Sequence, residues 1–144
     1  MTVAQILSSK GRAVFTATAG DTLESIAKTL SEKRIGSVVI VNEKNAIAGI
    51  ISERDIVRAL ARNGAGALGL KAASIMTSEV RTCSPHDSEG ELMAMMTEHR
   101  IRHLPVVEGG KLAGMVSIGD VVKFRIEAIE REAEDMKSYI ATAG

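Results

Sequence analysis

The chain repeats itself, and that duplication limits its folding more than any other feature. Residues 21–41 align with residues 87–107 at a constant offset of 66, which sets Arg34 and Ile35 over Arg100 and Ile101. One deletion in the following turn makes the offset 65, and Gly49, Ser52 and Asp55 then stand over Gly114, Ser117 and Asp120. Within 144 residues this leaves two small units. Neither has the apolar surface for a core of its own, so the copies are expected to pack together about a pseudo-twofold axis.

Periodicity changes in the same order in both copies. Leu23, Ile26, Ala27 and Leu30 recur at helical spacing, answered by Leu92, Met93, Met95 and Met96. Runs rich in β-branched residues follow at 38–41 and 104–107, then polar turns and return strands at 46–51 and 112–116. Ser52 and Ser117 open second helices. The unit reads β-α-β-β-α, and the fold class is α+β, made of α/β-type repeats. The glycine-rich stretch 63–69 ends the first copy, and residues 71–76 form a connecting helix that resembles residues 2–7. The expected division is 1–70 for the first repeat with its N-terminal helix and 71–144 for the second with its linker helix. The last helix outruns the repeat, with Val122, Ile126, Ile129, Ala133, Met136 and Ile140 in a heptad-like seam. That seam reads either as packing against the chain's own N-terminal helix or as a homodimer contact.

Composition removes several functions. Lys plus Arg and Asp plus Glu each number 18, so no overall field draws the chain to nucleic acid or an anionic membrane. Two Phe, one Tyr and no Trp leave few platforms for stacking bases. The apolar runs fall far short of the roughly 20 residues that span a bilayer. With a single cysteine, Cys83, and no leader-like N-terminus, a cytoplasmic chain without disulfides is expected. Three histidines and one cysteine show no metal-ligand or catalytic-triad spacing, and no dinucleotide-binding glycine fingerprint is present. A catalytic role and a metal are therefore not expected.

The segments Gly49-Ile50-Ile51-Ser52-Glu53-Arg54-Asp55 and Gly114-Met115-Val116-Ser117-Ile118-Gly119-Asp120 resemble the signatures of CBS domains. So do Arg102-His103-Leu104-Pro105-Val106-Val107 upstream of the second and the lead-in Ile75-Met76-Thr77. The resemblance runs from 2 to 122 and is to tandem CBS pairs, or Bateman modules, of the small stand-alone bacterial type. It implies a regulatory module, not an enzyme, that holds an adenine nucleotide between its repeats and senses energy or redox state. AMP is the first choice, with ADP, ATP or NAD as alternatives. A structural subunit that pairs with a separate enzyme or transporter, its clefts vestigial, is the rival reading.

Ser52 and Asp55, like Ser117 and Asp120, stand three apart at a helix start, the spacing of a capping box with Asp in place of Glu. The resemblance adds a second role, in which Asp55 and Asp120, with Ser52 and Ser117 beside them, hold a ribose through paired carboxylate acceptors. The exposed N–H groups of such turns also suit phosphate. Arg54 inside the first signature, and Arg102 and His103 before the second copy's strand, are the phosphate candidates by resemblance. Solvated arginines and a satisfied imidazole are their ordinary alternatives. Gly36 and Ser37 fill the matching positions of the first copy, so the clefts are expected to be unequal, the better one using Arg102, His103 and Asp120. For the adenine slot the resemblance implies the entering strands, Thr16 and Ala17 or Thr82 and Cys83, with Leu104, Pro105 and Ile118 as walls. A plain core role for those three is equally open, and Cys83 also reads as a small apolar filler.

Overall fold

The computed structural model describes residues 2–143. Helix α1 (Val3–Lys10) precedes a first repeat of β1 (Thr16–Ala17), α2 (Leu23–Lys33), β2 (Ser37–Val41), β3 (Ile47–Ser52) and α3 (Glu53–Asn63). A 3-10 helix (Gly64–Gly69) and α4 (Ala72–Ile75) lead to α5 (Glu89–His99), β4 (His103–Glu108), β5 (Lys111–Ser117) and α6 (Ile118–Ala143). Both repeats therefore follow the expected order and are joined in one α+β fold.

Local chemistry sets the element ends. Helix α2 starts where Thr22 Oγ1 accepts from the Ser25 N–H, and α5 where Ser88 Oγ accepts from the Glu91 N–H. Both stop at an arginine, Arg34 and Arg100, held in the left-handed region at φ 54°. In β2, residues Ser37 to Ile40 are all buried, as a strand covered on both faces requires. Strand β1 runs parallel to β2, and β2 pairs antiparallel with β3. The second sheet has only β4 and β5, because the strand entering the second repeat shrinks to one parallel bridge at Cys83. There the Cys83 N–H donates to the Pro105 carbonyl at 3.0 Å, and the Cys83 carbonyl accepts from Val107 at 2.8 Å. The Cys83 thiol is buried, which together with the Asp87 charge pushes its pKa up to about 12, so it acts as the small apolar filler the sequence suggested.

The copies build their cores by exchange. Val3, Ile6 and Leu7 of α1 are buried with Leu92, Met96, Leu104, Val106 and Val116, all from the second repeat. In return Ala72, Ile75 and Met76 pack with Leu23, Ile26, Ile40 and Ile51 of the first. Backbone bonds pin both crossings: Val3 N–H to Asp87 O at 2.9 Å, and Ala72 N–H to Asp21 O at 2.8 Å. Each fully buried Leu or Ile contributes roughly 1.5–3 kcal/mol, so neither half can give up the other's helix cheaply. The close approach needs glycine. A Cβ at Gly49 would lie 2.6 Å from Met76 Sδ, and one at Gly114 2.9 Å from Leu7 Cδ2.

The long helix departs from the first of its two readings, packing against the chain's own N-terminal helix. Val121 is buried at the second core and Phe124 packs against it beside α1, but the heptad stripe itself faces outward. Ile126, Met136 and Ile140 are 50%, 61% and 64% exposed, so α1 does not cover the seam. Among the described residues no helix is long and apolar enough to cross a membrane.

Gly114→Ala should cost about 1–3 kcal/mol by overpacking against Leu7, with a lower thermal midpoint, and Leu7→Ala should cost less on that background than in the wild type.

Candidate functional site

Strand β3 runs directly into α3, and the turn between them is held by a reciprocal cap. The Ser52 N–H donates to Asp55 Oδ2 at 2.8 Å and the Asp55 N–H to Ser52 Oγ at 3.4 Å. The second repeat copies this, with Ser117 N–H to Asp120 Oδ2 at 2.9 Å and Asp120 N–H to Ser117 Oγ at 3.1 Å. Capping thus uses one carboxylate oxygen in each copy. At Asp55 the other oxygen, Oδ1, accepts no hydrogen bond and has Arg58 at 4.0 Å, and the residue lines a cleft.

That cleft encloses about 310 Å³, at the lower end of small-molecule sites, which run from roughly 300 to 1,000 Å³. Ser52, Arg54 and Asp55 form one side, with Gly36, Ser37 and Ile50 behind them. The far side comes from the other repeat: Thr77 to Arg81 on the way into it, and Arg100 to His103 before β4. Five arginines, at 54, 58, 81, 100 and 102, line it against three acids, Glu53, Asp55 and Glu79. Ser37 adds a polar group waiting for a partner. It is 7% exposed, yet its Oγ has no hydrogen-bond partner, an arrangement that costs about 1–3 kcal/mol when nothing fills it.

The structure brings Ser52, Arg54, Asp55, Arg102 and His103 to this cleft, but places Asp120 and Ser117 elsewhere. The expected grouping of Arg102 and His103 with Asp120 is not this cleft's lining, although His103 pairs with Ser117 across β4 and β5 and feels the Asp120 charge. The loop before β4 faces α3 across the twofold relation, and the His103 ring lies against Gly36, where an added Cβ would sit 3.0 Å from it. None of the seven adenine-slot candidates lines the cleft. Ala17, Cys83 and Leu104 belong to the cores, Pro105 is buried, Thr16 and Thr82 are exposed, and Ile118 packs on the second core. Residues 77–81 stand in the place expected of Thr82 and Cys83, because the chain pairs with β3 through Thr77 before it reaches β4. Sequence reasoning missed Arg58, Arg81 and Arg100. Of these only Arg58 carried a signal, three residues beyond Asp55 on the same helix face.

His103 sits between the two aspartate turns. Burial lowers its pKa below the ordinary imidazole value, against the raising influence of Asp120 and Glu53 and with help from Lys10 and Arg102. Asp120 is held below the usual carboxylate range. Burial alone would raise it, but hydrogen bonds from Lys10 and Ser117 prevail.

A duplicated α+β module with exchanged lead-in helices and a ligand-sized cleft between its copies has the architecture of a ligand-binding module. The CBS domain model matches residues 3–62 and 72–127, and the chain belongs to the CBS domain family. Its members are regulatory modules and not catalysts, and they generally bind adenine nucleotides. A CBS-domain protein of Agrobacterium tumefaciens is 41% identical, with a TM-score of 0.84 over 87% of this chain and 99% of that one. A putative signal-transduction protein with CBS domains from Burkholderia ambifaria is 44% identical, at TM-score 0.82 over 88% and 95%. The mitochondrial CBS-domain protein CBSX3 of Arabidopsis thaliana is 34% identical over 96% of this chain and 71% of its own length. An uncharacterized 33.4 kDa protein of Thermofilum pendens is 38% identical, and the chain spans only 39% of it. The CBS pair of protein MJ0100, 26% identical at TM-score 0.79 over 89% of this chain and 98% of that one, was solved with 5'-methylthioadenosine and S-adenosylmethionine.

The unfolded chain protonates His103 more readily than the folded one, so folding loses stability as pH falls through about 6.5. Thermal midpoints should decline from pH 7.5 toward 5.5, and His103→Gln should flatten that decline.

Proposed function

We propose that this module binds a phosphate-bearing adenosine ligand in the cleft at Asp55 and passes its occupancy to a partner surface. The observation that carries the reading is the combination in one cleft of a carboxylate with a free oxygen, an unpartnered buried hydroxyl and a surplus of guanidinium groups. Asp55 Oδ1 and Ser37 Oγ suit the ribose edge, and the arginines together with the N-terminus of α3 suit the phosphates. The positive lining favours AMP, ADP, ATP or NAD over uncharged 5'-methylthioadenosine or S-adenosylmethionine, whose sulfonium leaves it a net cation. AMP is the first candidate because 310 Å³ is small for a dinucleotide. Since both repeats supply the walls, a bound nucleotide prefers one setting of the repeats over others, and that difference is what a cytoplasmic energy sensor transmits.

The outward stripe on α6 supports a second element of the reading, a homodimer. Ile126, Ile129, Met136 and Ile140 keep heptad spacing without cover from their own chain, and a stripe of this kind is self-complementary across a twofold axis. The rival reading, a subunit docking on a separate enzyme or transporter, would use the same stripe.

Calorimetric titration with AMP, ATP, NAD and S-adenosylmethionine should show binding of the phosphate-bearing ligands. Asp55→Ala should weaken it about ten- to a hundredfold, the loss of a charge-assisted hydrogen bond. Ser37→Ala should weaken binding without lowering the thermal midpoint of the free protein, because the hydroxyl has no partner there to lose. No heat with any of these ligands would refute the nucleotide reading. Light scattering should give twice the chain mass for the wild type and one chain mass for the double variant Ile126→Glu, Met136→Glu; a monomeric wild type would favour docking on a different protein.

A further inference from the structure

The two repeats treat their matching carboxylates differently. Near Asp55, helix α4 ends after Ile75, and Thr77 pairs with Ile50 through backbone bonds of 3.0 Å in both directions. Helix α1 is the corresponding lead-in, but it runs 8 residues against 4 for α4, a full turn further. The added turn brings Lys10 over the second repeat. Its ammonium donates to the Met115 carbonyl at 2.9 Å and to Asp120 Oδ2 at 2.5 Å. Met115 is the second repeat's equivalent of Ile50. The Lys10 side chain thus makes the bond that the Thr77 N–H makes in the first repeat, and reaches the carboxylate as well.

Asp120 borders a cavity of about 70 Å³ between α1 and α6, too small for a nucleoside, where the Asp55 cleft has about 310 Å³. Of the charged groups around it, Lys10 makes the direct ion pair with Asp120, and Lys123 and Glu127 complete the lining. At Asp55 the nearest cation, Arg58, stands back at 4.0 Å on an exposed side chain.

We propose that Lys10 is a specificity-determining residue that occupies the Asp120 position from within the chain, so that ligand enters at Asp55 and the second cleft stays shut. This rests on the nucleotide reading of the Asp55 cleft. A ribose arriving at Asp120 has to compete for a carboxylate already paired, through its capping oxygen, with an ammonium tethered to the same fold at high effective concentration. The identical Ser-x-x-Asp turns therefore serve two purposes: one is open to ligand, and the other anchors α1 to α6.

The test is binding stoichiometry, with AMP and ATP as probes, for the wild type, Lys10→Met and Lys10→Gln. Val3, Ile6 and Leu7 hold α1 in place, so both variants keep the fold, which a thermal scan checks. The wild type should bind one ligand per chain, lost in Asp55→Ala and retained in Asp120→Asn. Both Lys10 variants should bind two, with the second removed by adding Asp120→Asn. Two wild-type sites, a single site lost through Asp120→Asn, or one site in both Lys10 variants would overturn the proposal. If the wild type binds nothing and the Lys10 variants bind one ligand, closure by Lys10 stands and the Asp55 reading falls. Absence of binding in all three overturns both.

Discussion

Everything in this fold depends on the exchange of lead-in helices. A repeat made of one short sheet and two helices leaves one sheet edge and part of its core open, and the missing apolar residues come from the segment that precedes the other repeat. Val3, Ile6 and Leu7 close the second core; Ala72, Ile75 and Met76 close the first. The contact is tight enough that a methyl group at Gly49 or Gly114 has no room. Because each half completes the other, the relative placement of the repeats is a consequence of core packing, and a cleft formed between them has defined walls.

Within that frame, the start of the second helix in each repeat carries two duties. Its aspartate accepts a backbone N–H from the preceding serine, which settles the helix end, and only one carboxylate oxygen is needed for this. The other is left to the surroundings. At Asp55 the surroundings are an open cleft with a surplus of arginine; at Asp120 a lysine from α1 donates to the capping oxygen itself and supplies the countercharge. Capping and ligand binding are therefore not competing explanations for the Ser-x-x-Asp pattern. The cap orients the side chain, and the neighbours decide what it then holds.

Duplication followed by unequal lead-ins also explains how a symmetric sequence yields an asymmetric module. One helical turn separates a carboxylate that borders an open cleft from one paired with a lysine of the chain itself. The same asymmetry extends to α6, which leaves the second repeat with a solvent-facing apolar stripe that α3 matches only in part, through Val57 and Leu60.

The sequence by itself determined the duplication, the order of elements, the caps at Ser52 and Ser117, and the pair of candidate aspartates. All of these are local or periodic, readable from spacing and side-chain chemistry over a few residues. Only the tertiary structure decided that the lead-ins cross over, that Arg102 and His103 face Asp55, and that Arg81 and Arg100 join them. It also decided that the entering strands, Thr16 with Ala17 and Thr82 with Cys83, stay out of the cleft. Those are contacts between segments tens of residues apart, set by which apolar faces fit together. Lys10 shows the division most clearly: as a residue it is an ordinary basic end to a short helix, and the extra turn that places its ammonium against Asp120 has meaning only once α1 has docked on the second repeat.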